Sequence, residues 1–517
     1  MDCMYQEQKS VDSFTPSDYQ QDIFEWVVSG GGHGVVEAVA GSGKTLTIVN
    51  AADLIKDDGL FVAFNKAIAD ELVGRLASTT MVARTVHSAG MAALRNRFGR
   101  VHVDTSKYVK LAQSLKNDVE NDGVLLRRSL TDKEKVSIRA FGYPVRLICR
   151  LVELARMELL NPDSPTFQGD LDHLVFHHNL DVPWGSERVV SESVTAVIDR
   201  GLKDQSVIDF TDMIYMPVVL HLRPRQYPWV FIDEAQDISR AQFELLSACV
   251  SPGGRTLWVG DRRQAIYGWR GADADSFANI IKTNDAHVMP LSVCYRCPTD
   301  VLDIARPYCP QIEAAPGAPK GVVTSIPAAS FESSVREGDM VLCRLNAPLV
   351  GKCLGLIASG IPATIRGRDV SKGLSRLVDD AARLGPFPGC LNTWEAKMGE
   401  YIRGKLVDED EIAEQLERIF DKAECARLIC MRCGLHPGPG QIKASIAQLF
   451  NESRQSVIFS SVHRAKGLEN DRVFILWPHR LGEAPWAKRP WMVKQERNVA
   501  YVAYTRARRE LIFVDEQ

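Results

Sequence analysis

The sequence predicts an α/β protein built on two parallel sheets, with helical insertions. Three observations predict it. Short apolar runs alternate with helix-periodic segments twice, over 35–260 and again over 340–514. Several of these runs end in acidic or glycine-rich loops, where parallel sheets carry their ligand sites. Two long stretches, 91–204 and 373–453, show helical periodicity and charge without a strand series. The chain has 517 residues, 45% of them hydrophobic, enough for several cores. This composition excludes a disordered, collagen-like or disulfide-scaffold protein. A net charge of −3 leaves any nucleic-acid partner to be argued from local residues. No run of 18 apolar residues occurs, and MDCMYQEQKSVDSF has no signal-peptide core. The twelve cysteines read as reduced thiols, so the expected setting is cytoplasmic, without a membrane.

In chain order, VVEAVA (35–40) reads as a buried strand, GSGKT as the loop after it and TLTIVNAADLI as a helix. GLFVAF (59–64), PWVFI (228–232) and RTLWVG (255–260) are the other strands of the first set. MVLCRL (340–345), IPATI (361–365), SVIFSSV (456–462), RVFIL (472–476) and ELIFV (510–514) form the second. PGAPKG (316–321) and PGPG (437–440) read as loops. From Asp408 to Asp421 seven acids face one arginine, with Ile412, Leu416, Ile419 and Phe420 at helical spacing. That is an amphipathic surface helix, or secondarily an acidic docking face.

Two motifs carry chemistry. AVAGSGKT, Ala38 to Thr45, fits the phosphate-loop pattern with Ala38 in place of its first glycine. The backbone of Ala40, Gly41, Ser42 and Gly43 would wrap phosphates, Lys44 would reach the β/γ-phosphates and Thr45 would ligate Mg²⁺. Asp233-Glu234 follows the strand PWVFI. Beside a phosphate loop such a pair supplies one carboxylate for Mg²⁺ and one for an attacking water; an acidic helix cap is the plainer alternative.

These residues lie in an ordered series: AFNKAIADEL (63–72), TVHSAG (85–90), DEAQD (233–237), VGDRRQAIYGWRGA (259–272), CYR (294–296), SVHRAKGLE (461–469) and QERNVAYVAYTRA (495–507). The series resembles superfamily 1A DNA helicases of the UvrD/Rep/PcrA type, in particular their short phage and bacterial branch. The resemblance implies two RecA-like domains with ATP between them. Domain 1A falls at 1–90 and 205–290, helical 1B at 91–204, and domain 2A at 291–372 and 454–517. The stretch 373–453 is a reduced 2B-like helical insertion. By resemblance Gln20, with Gln21 adjacent, reads adenine, and Tyr295 stacks on it. Asp233 and Thr45 hold Mg²⁺, Glu234 is the general base, Gln264 senses the γ-phosphate, and Arg296 and Arg506 are arginine fingers. Gly467 and Glu469 lie at the nucleotide, Glu469 on its ribose side.

The single-strand track implied by the resemblance comprises Phe64, Asn65, His87, Tyr267, Trp269, Arg270 and His463. Core packing is the plainer reading of Phe64, Tyr267 and Trp269. Aromatic faces stack on any base, so the track is sequence-tolerant and blind to the sugar. Residues 480–509 carry a local charge of +6, read as a solvated face or a groove wall. Two departures stand out. Leu46 replaces the arginine that many relatives carry after the loop threonine, which predicts relaxed base selectivity. Ser461 replaces a threonine and keeps its hydroxyl. Cys425, Cys430 and Cys433, with Cys390, have a spacing seen in metal sites, but ARLICMRC reads as a helix with packed thiols.

The expected function is an ATP-dependent DNA helicase that moves 3′→5′ on single strands and unwinds duplex, acting at junctions of single and double strand. The alternative is a DNA-stimulated ATPase or translocase subunit, with a protein partner, of a repair, replication or defence complex. A binding module that uses ATP as a switch is a third reading, opposed by Glu234 and the two arginines. Pathway, partner and oligomeric state are not encoded in these motifs.

Overall fold

The computed structural model describes residues 15–63, 69–70, 74, 80–122, 124–125, 128–178, 180, 182–183, 185–266, 276–403, 409–451, 456–482, 484, 487 and 490–515. Two six-stranded sheets, parallel throughout, carry the fold. The first runs His287–Leu291, Gly34–Ala38, Val250–Gly260, Tyr227–Ile232, Gly59–Ala63, Met81–Thr85. The second runs Val322–Pro327, Ala507–Asp515, Asn470–Leu476, Met340–Cys343, Val457–Ser461, Ala363–Ile365.

Every expected strand is present. The three that sequence patterning missed, Met81–Thr85, His287–Leu291 and Val322–Pro327, are all edge strands. Each is largely half-buried or exposed, so it lacks the continuous apolar run of a central parallel strand. The strand order has one consequence for the site. Gly34–Ala38, Val250–Gly260 and Tyr227–Ile232 are neighbours, so the loops at their carboxyl ends open side by side.

Each face of the first sheet has its own core. Ile23, Ile48, Phe61, Phe231 and Leu257 fill one; Leu60, Val230, Leu245 and Trp258 fill the other. The helical body after residue 91 has a third core, running from Leu94 to Met216. The segment from 205 to Met216, expected with the first sheet, therefore packs partly with the helices. A buried ionic network explains the attachment. Asp212 accepts from Lys107 Nζ at 2.8 Å, Tyr108 Oη at 2.6 Å and Arg156 Nη1 at 2.8 Å, and Asp209 pairs with Arg156 at 2.9 Å. Two cations against two carboxylates neutralise one another where water is excluded.

Residues 373–453 are helical as expected, in Arg368–Ala382, Gly389–Arg403, Glu409–Cys433 and Pro439–Leu449. Among the described residues, the reduced helical insertion expected there shows no core separate from the second sheet's. Leu374, Leu377, Ala426, Ile429 and Ile446 share one core with Val341, Phe459, Phe474 and Ile512 of the second sheet. The acidic run is amphipathic, with Ile419 buried and Phe420 outward. Its last member, Asp421, turns inward and accepts the N–H groups of Asn346 and Ala347, capping helix Ala347–Ala358 at 3.0 and 2.7 Å. Of the PGPG loop, Pro439 already opens a helix. Cys390, Cys425 and Cys430 are buried in the same apolar core. Among the described residues no three His, Cys, Asp or Glu side chains gather as a metal site. No described helix is long and apolar enough to cross a membrane.

One further core joins the halves. Val39, Ala40 and Ile266 from the first half pack with Cys294, Val301, Val462, Ala465, Val499 and Tyr501 from the second. The two sheets therefore meet over the loop that follows Gly34–Ala38.

Candidate active site

The phosphate loop ends on Gly43, at φ 77°, and launches helix Lys44–Asp53. Free N–H groups and the positive helix end aim at the space an anion would occupy. Gly41, at φ 69°, is required twice over. A Cβ there would lie 2.5 Å from Arg296 Cβ and 2.9 Å from Cys294 Sγ, because the second half packs directly on the loop. The Ser42 hydroxyl is buried without a protein hydrogen-bond partner, which fits a loop that wraps phosphate oxygens. Tyr295 donates its N–H to Gly41 O at 2.8 Å and leaves its ring half exposed beside the loop. Gln20 is buried, with Nε2 donating to Thr47 Oγ1 at 2.8 Å; Gln21 is exposed. Of the two neighbouring glutamines, Gln20 faces the site.

Asp233 accepts from Thr45 Oγ1 at 3.2 Å and from the Glu234 N–H at 2.8 Å. Glu234 sits in the left-handed region at φ 54°, a strained setting for a residue with a side chain. Gln236 donates to its carboxylate and also accepts the Asp261 N–H, at 3.0 Å. Burial, then the Glu234 charge, raises the Asp233 carboxyl. Burial would raise Glu234 too, but Lys44 and Lys466 outweigh it and hold that carboxylate below its ordinary range. The convergence of a hydroxyl and a carboxylate, both hard oxygen donors, fits Mg²⁺.

Gln264 follows strand Val250–Gly260 and donates to Asp261 Oδ2 at 2.8 Å. Three side chains that sequence reasoning passed over reach this segment from the second half. Tyr501 Oη accepts the Ala40 N–H at 2.7 Å and donates to Asp261 Oδ2 at 3.3 Å. Lys466 Nζ donates to Gln264 O at 2.7 Å and pairs with Asp237. Asn498 Nδ2 donates to Ala265 O at 3.0 Å. All three lie inside motif runs quoted above, but nothing in a linear pattern says which members of a run cross to the other sheet.

Arg296 approaches the loop while donating to Glu469 at 2.6 Å. Glu469 also takes Arg508, at 3.4 Å. Gly467, at φ 82°, forms the turn between Lys466 and Glu469. Arg506 is fully buried. It donates to Val502 O at 2.8 Å, Leu468 O at 3.0 Å and Thr505 Oγ1 at 3.2 Å, leaving two of the five guanidinium N–H groups uncommitted. Burial, then the nearby Arg296 charge, lowers its pKa to about 10.

Of the expected track, Phe64, Asn65, Tyr267, Trp269 and Arg270 lie outside the described residues. His87 opens the helix at the carboxyl end of Met81–Thr85 and meets Phe210 edge-on, ring centroids 6.1 Å apart. His463 occupies the matching position after Val457–Ser461 in the second sheet. Part of the basic run 480–509 is internally paired: Arg480 with Glu417, and Arg508 and Arg509 with Asp471.

Two family models match the chain: the UvrD/REP helicase N-terminal domain over residues 19–285 and the UvrD-like helicase C-terminal domain over 409–516. The ATP-dependent DNA helicase PcrA of Leuconostoc citreum is 27% identical over 290 residues, covering 53% of this chain and 36% of its own. The ATP-dependent DNA helicase Rep of Escherichia coli is 25% identical over 320 residues, covering 56% and 42%. PcrA of Bacillus subtilis is 26% identical over 293 residues, covering 52% and 36%. These alignments take in about two fifths of each relative.

Proposed function

Since this chain belongs to the UvrD/REP helicase family, we propose that it is an ATP-dependent DNA helicase that moves 3′→5′ on single strands and opens duplex at junctions. One observation carries the reading. The phosphate loop, Asp233-Glu234 and Gln264 lie on one sheet, and Lys466, Tyr501, Arg296 and Arg506 reach toward them from the other. Chemistry placed between two bodies couples hydrolysis to their movement.

In this mechanism the loop N–H groups and Lys44 hold the phosphates. Glu234 takes the proton of a water as its oxygen attacks the γ-phosphorus, and the bond to the β-phosphate oxygen breaks. Mg²⁺, held by Thr45 and Asp233, would neutralise phosphate charge when bound. Arg296 and the uncommitted N–H groups of Arg506 offset the charge that spreads over the transferring oxygens. The Lys44 and Lys466 charges keep Glu234 ionised, as a base must be. Gln264 changes partners when the γ-phosphate leaves. Tyr267 and Trp269 follow Gln264 within five residues of sequence, and the family resemblance gives them base stacking, which would link the γ-phosphate to the track.

We keep the expected domain order, and the core shared from Leu94 to Met216 supports drawing 1B as far as about Met216. A cytoplasmic setting fits the eleven described cysteines, all free thiols. A second reading, a translocase that unwinds poorly alone, is favoured by one observation: helices 368–449 share the second sheet's core and form no independent gripping body.

The test is ATP hydrolysis with and without single-stranded DNA, followed by unwinding of 3′- and 5′-tailed duplexes. DNA-stimulated turnover with opening of the 3′-tailed duplex alone is expected. Stimulated turnover without unwinding would select the translocase. Opening of only the 5′-tailed duplex would refute the polarity.

A further inference from the structure

Two thiols stand apart from the other cysteines. Cys294 ends the short strand Val293–Cys294, and Pro298 caps helix Thr299–Ala305. The bend between them carries Tyr295, Arg296 and Cys297. Both cysteines are buried, while the Tyr295 ring between them is half exposed at the edge of the cleft. The Cys297 N–H donates to Cys294 Sγ at 3.4 Å, and the Cys297 thiol stands in hydrogen-bonding contact with the same sulfur. Cys297 Sγ also lies 3.6 Å from Thr505 O, the carbonyl to which Arg296 Nη1 donates at 3.4 Å. Among the described residues no three His, Cys, Asp or Glu side chains gather as a metal site, so the pair is read as a dithiol.

The surroundings divide the two sulfurs into a nucleophile and a proton donor. The hydrogen bond from the Cys297 thiol lowers the Cys294 thiol, and the N–H groups of Cys297 and Arg296 and the Arg296 charge add to it against burial. Cys297 is raised in turn by the same contact and by burial. Other buried thiols behave in the ordinary way. Burial pushes Cys249, Cys343 and Cys353 up to about 12 and Cys309 up to about 11. A thiolate beside a second thiol, two residues intervening, is the arrangement of a dithiol that cycles with its disulfide.

We propose that Cys294 and Cys297 are a peroxide-sensitive dithiol whose disulfide takes Arg296 out of position. The oxidant is a hydroperoxide, small enough in the case of hydrogen peroxide to reach a buried thiol. The Cys294 thiolate attacks one peroxide oxygen, the O–O bond breaks, and the departing oxygen leaves as water, giving a sulfenic acid. The Cys297 sulfur then attacks Cys294 Sγ. The S–S bond forms, the S–O bond breaks, and the Cys297 proton leaves with the oxygen as a second water. Two electrons pass from the thiols to the peroxide, and a dithiol reductant returns them. Closing the bond draws Cys297 Sγ from Thr505 O and tightens the bend that holds Arg296. That bend has no slack on its other side, since a Cβ at Gly41 would already lie 2.5 Å from Arg296 Cβ. A guanidinium displaced by about 1 Å from a transferring phosphate costs turnover heavily. The effect on turnover rests on the proposed function; the thiol chemistry does not.

The full chain is reduced, freed of reductant and treated with hydrogen peroxide. Disulfides are located by mass spectrometry of proteolytic fragments, and ATPase with single-stranded DNA is followed in parallel. A 294–297 disulfide is expected before oxidation of any other described cysteine, with kcat lowered at least about tenfold and restored by dithiothreitol. Cys297→Ala should instead collect a sulfenic acid at Cys294 that dimedone traps. Cys294→Ala should give none at Cys297 and lose the peroxide effect. Earlier oxidation elsewhere overturns the proposal, and so does a 294–297 disulfide that leaves the turnover of an active chain unchanged. That disulfide in a chain without ATPase even when reduced would support the dithiol and refute the motor; DNA-stimulated turnover indifferent to peroxide would do the reverse.

Discussion

Glu234, Tyr501 and Asp237 separate three roles at the residue scale. Glu234→Gln keeps shape but removes the base, so kcat should fall by about 10²–10⁴ with ATP binding retained; unchanged turnover would reject the assignment. Tyr501→Phe deletes the hydroxyl between Ala40 N–H and Asp261. Two hydrogen bonds are lost in a site that must stay aligned, and kcat should fall about tenfold with KM for ATP little changed. A rise in KM alone would make Tyr501 a binding residue. Burial pushes Asp237 up to about 6 despite the pull of Lys466. As pH falls through that value the ion pair loses its charge, and DNA-stimulated ATPase should decline with it. A raised folded-state pKa means that protonation favours the folded chain at this group, so the decline reports lost coupling rather than unfolding. Asp237→Asn should start low and flatten that limb; a limb of full depth in the variant would refute the assignment. The motif residues were legible in the sequence because their chemistry demands particular residue types. Tyr501, Lys466 and Asn498 were not singled out, because a linear run does not say which of its members cross to the other sheet, and a tyrosine in an apolar helix reads equally well as core.

At the scale of elements, buried polar groups decide which helix belongs to which body. Arg156→Ala would leave two carboxylates, Asp209 and Asp212, with Lys107 as the one cation of the network, at a cost of about 3–5 kcal/mol. A chemical-denaturation midpoint that does not move would show the network to be dispensable. Asp421→Ala should cost less, about 1–3 kcal/mol, by orphaning the N–H groups that open helix Ala347–Ala358. The central strands were readable as apolar runs. Three of the four edge strands were not, because they are too exposed to leave an apolar run to see.

For the whole molecule, the joint over the phosphate loop is the feature that makes a motor plausible. Val39, Ala40 and Ile266 are shared with the second half's core, so nucleotide at the loop acts on both bodies. Hydrogen exchange of Glu234→Gln should therefore slow on adding ATP at both 261–266 and 293–298. Protection confined to the loop would mean that binding does not close the cleft. The sequence by itself determined the two-sheet α/β class, the phosphate loop, the carboxylate pair and the family, because each rests on local periodicity or on residue types at short spacing. Only the tertiary structure decided that helices 368–449 join the second core, that Asp212 belongs partly to the helical body, and that Gln20 rather than Gln21 is buried against Thr47 of the helix after the phosphate loop. Those outcomes turn on which surfaces exclude water against each other across hundreds of residues, and a linear pattern records a residue's own polarity, not its partner's.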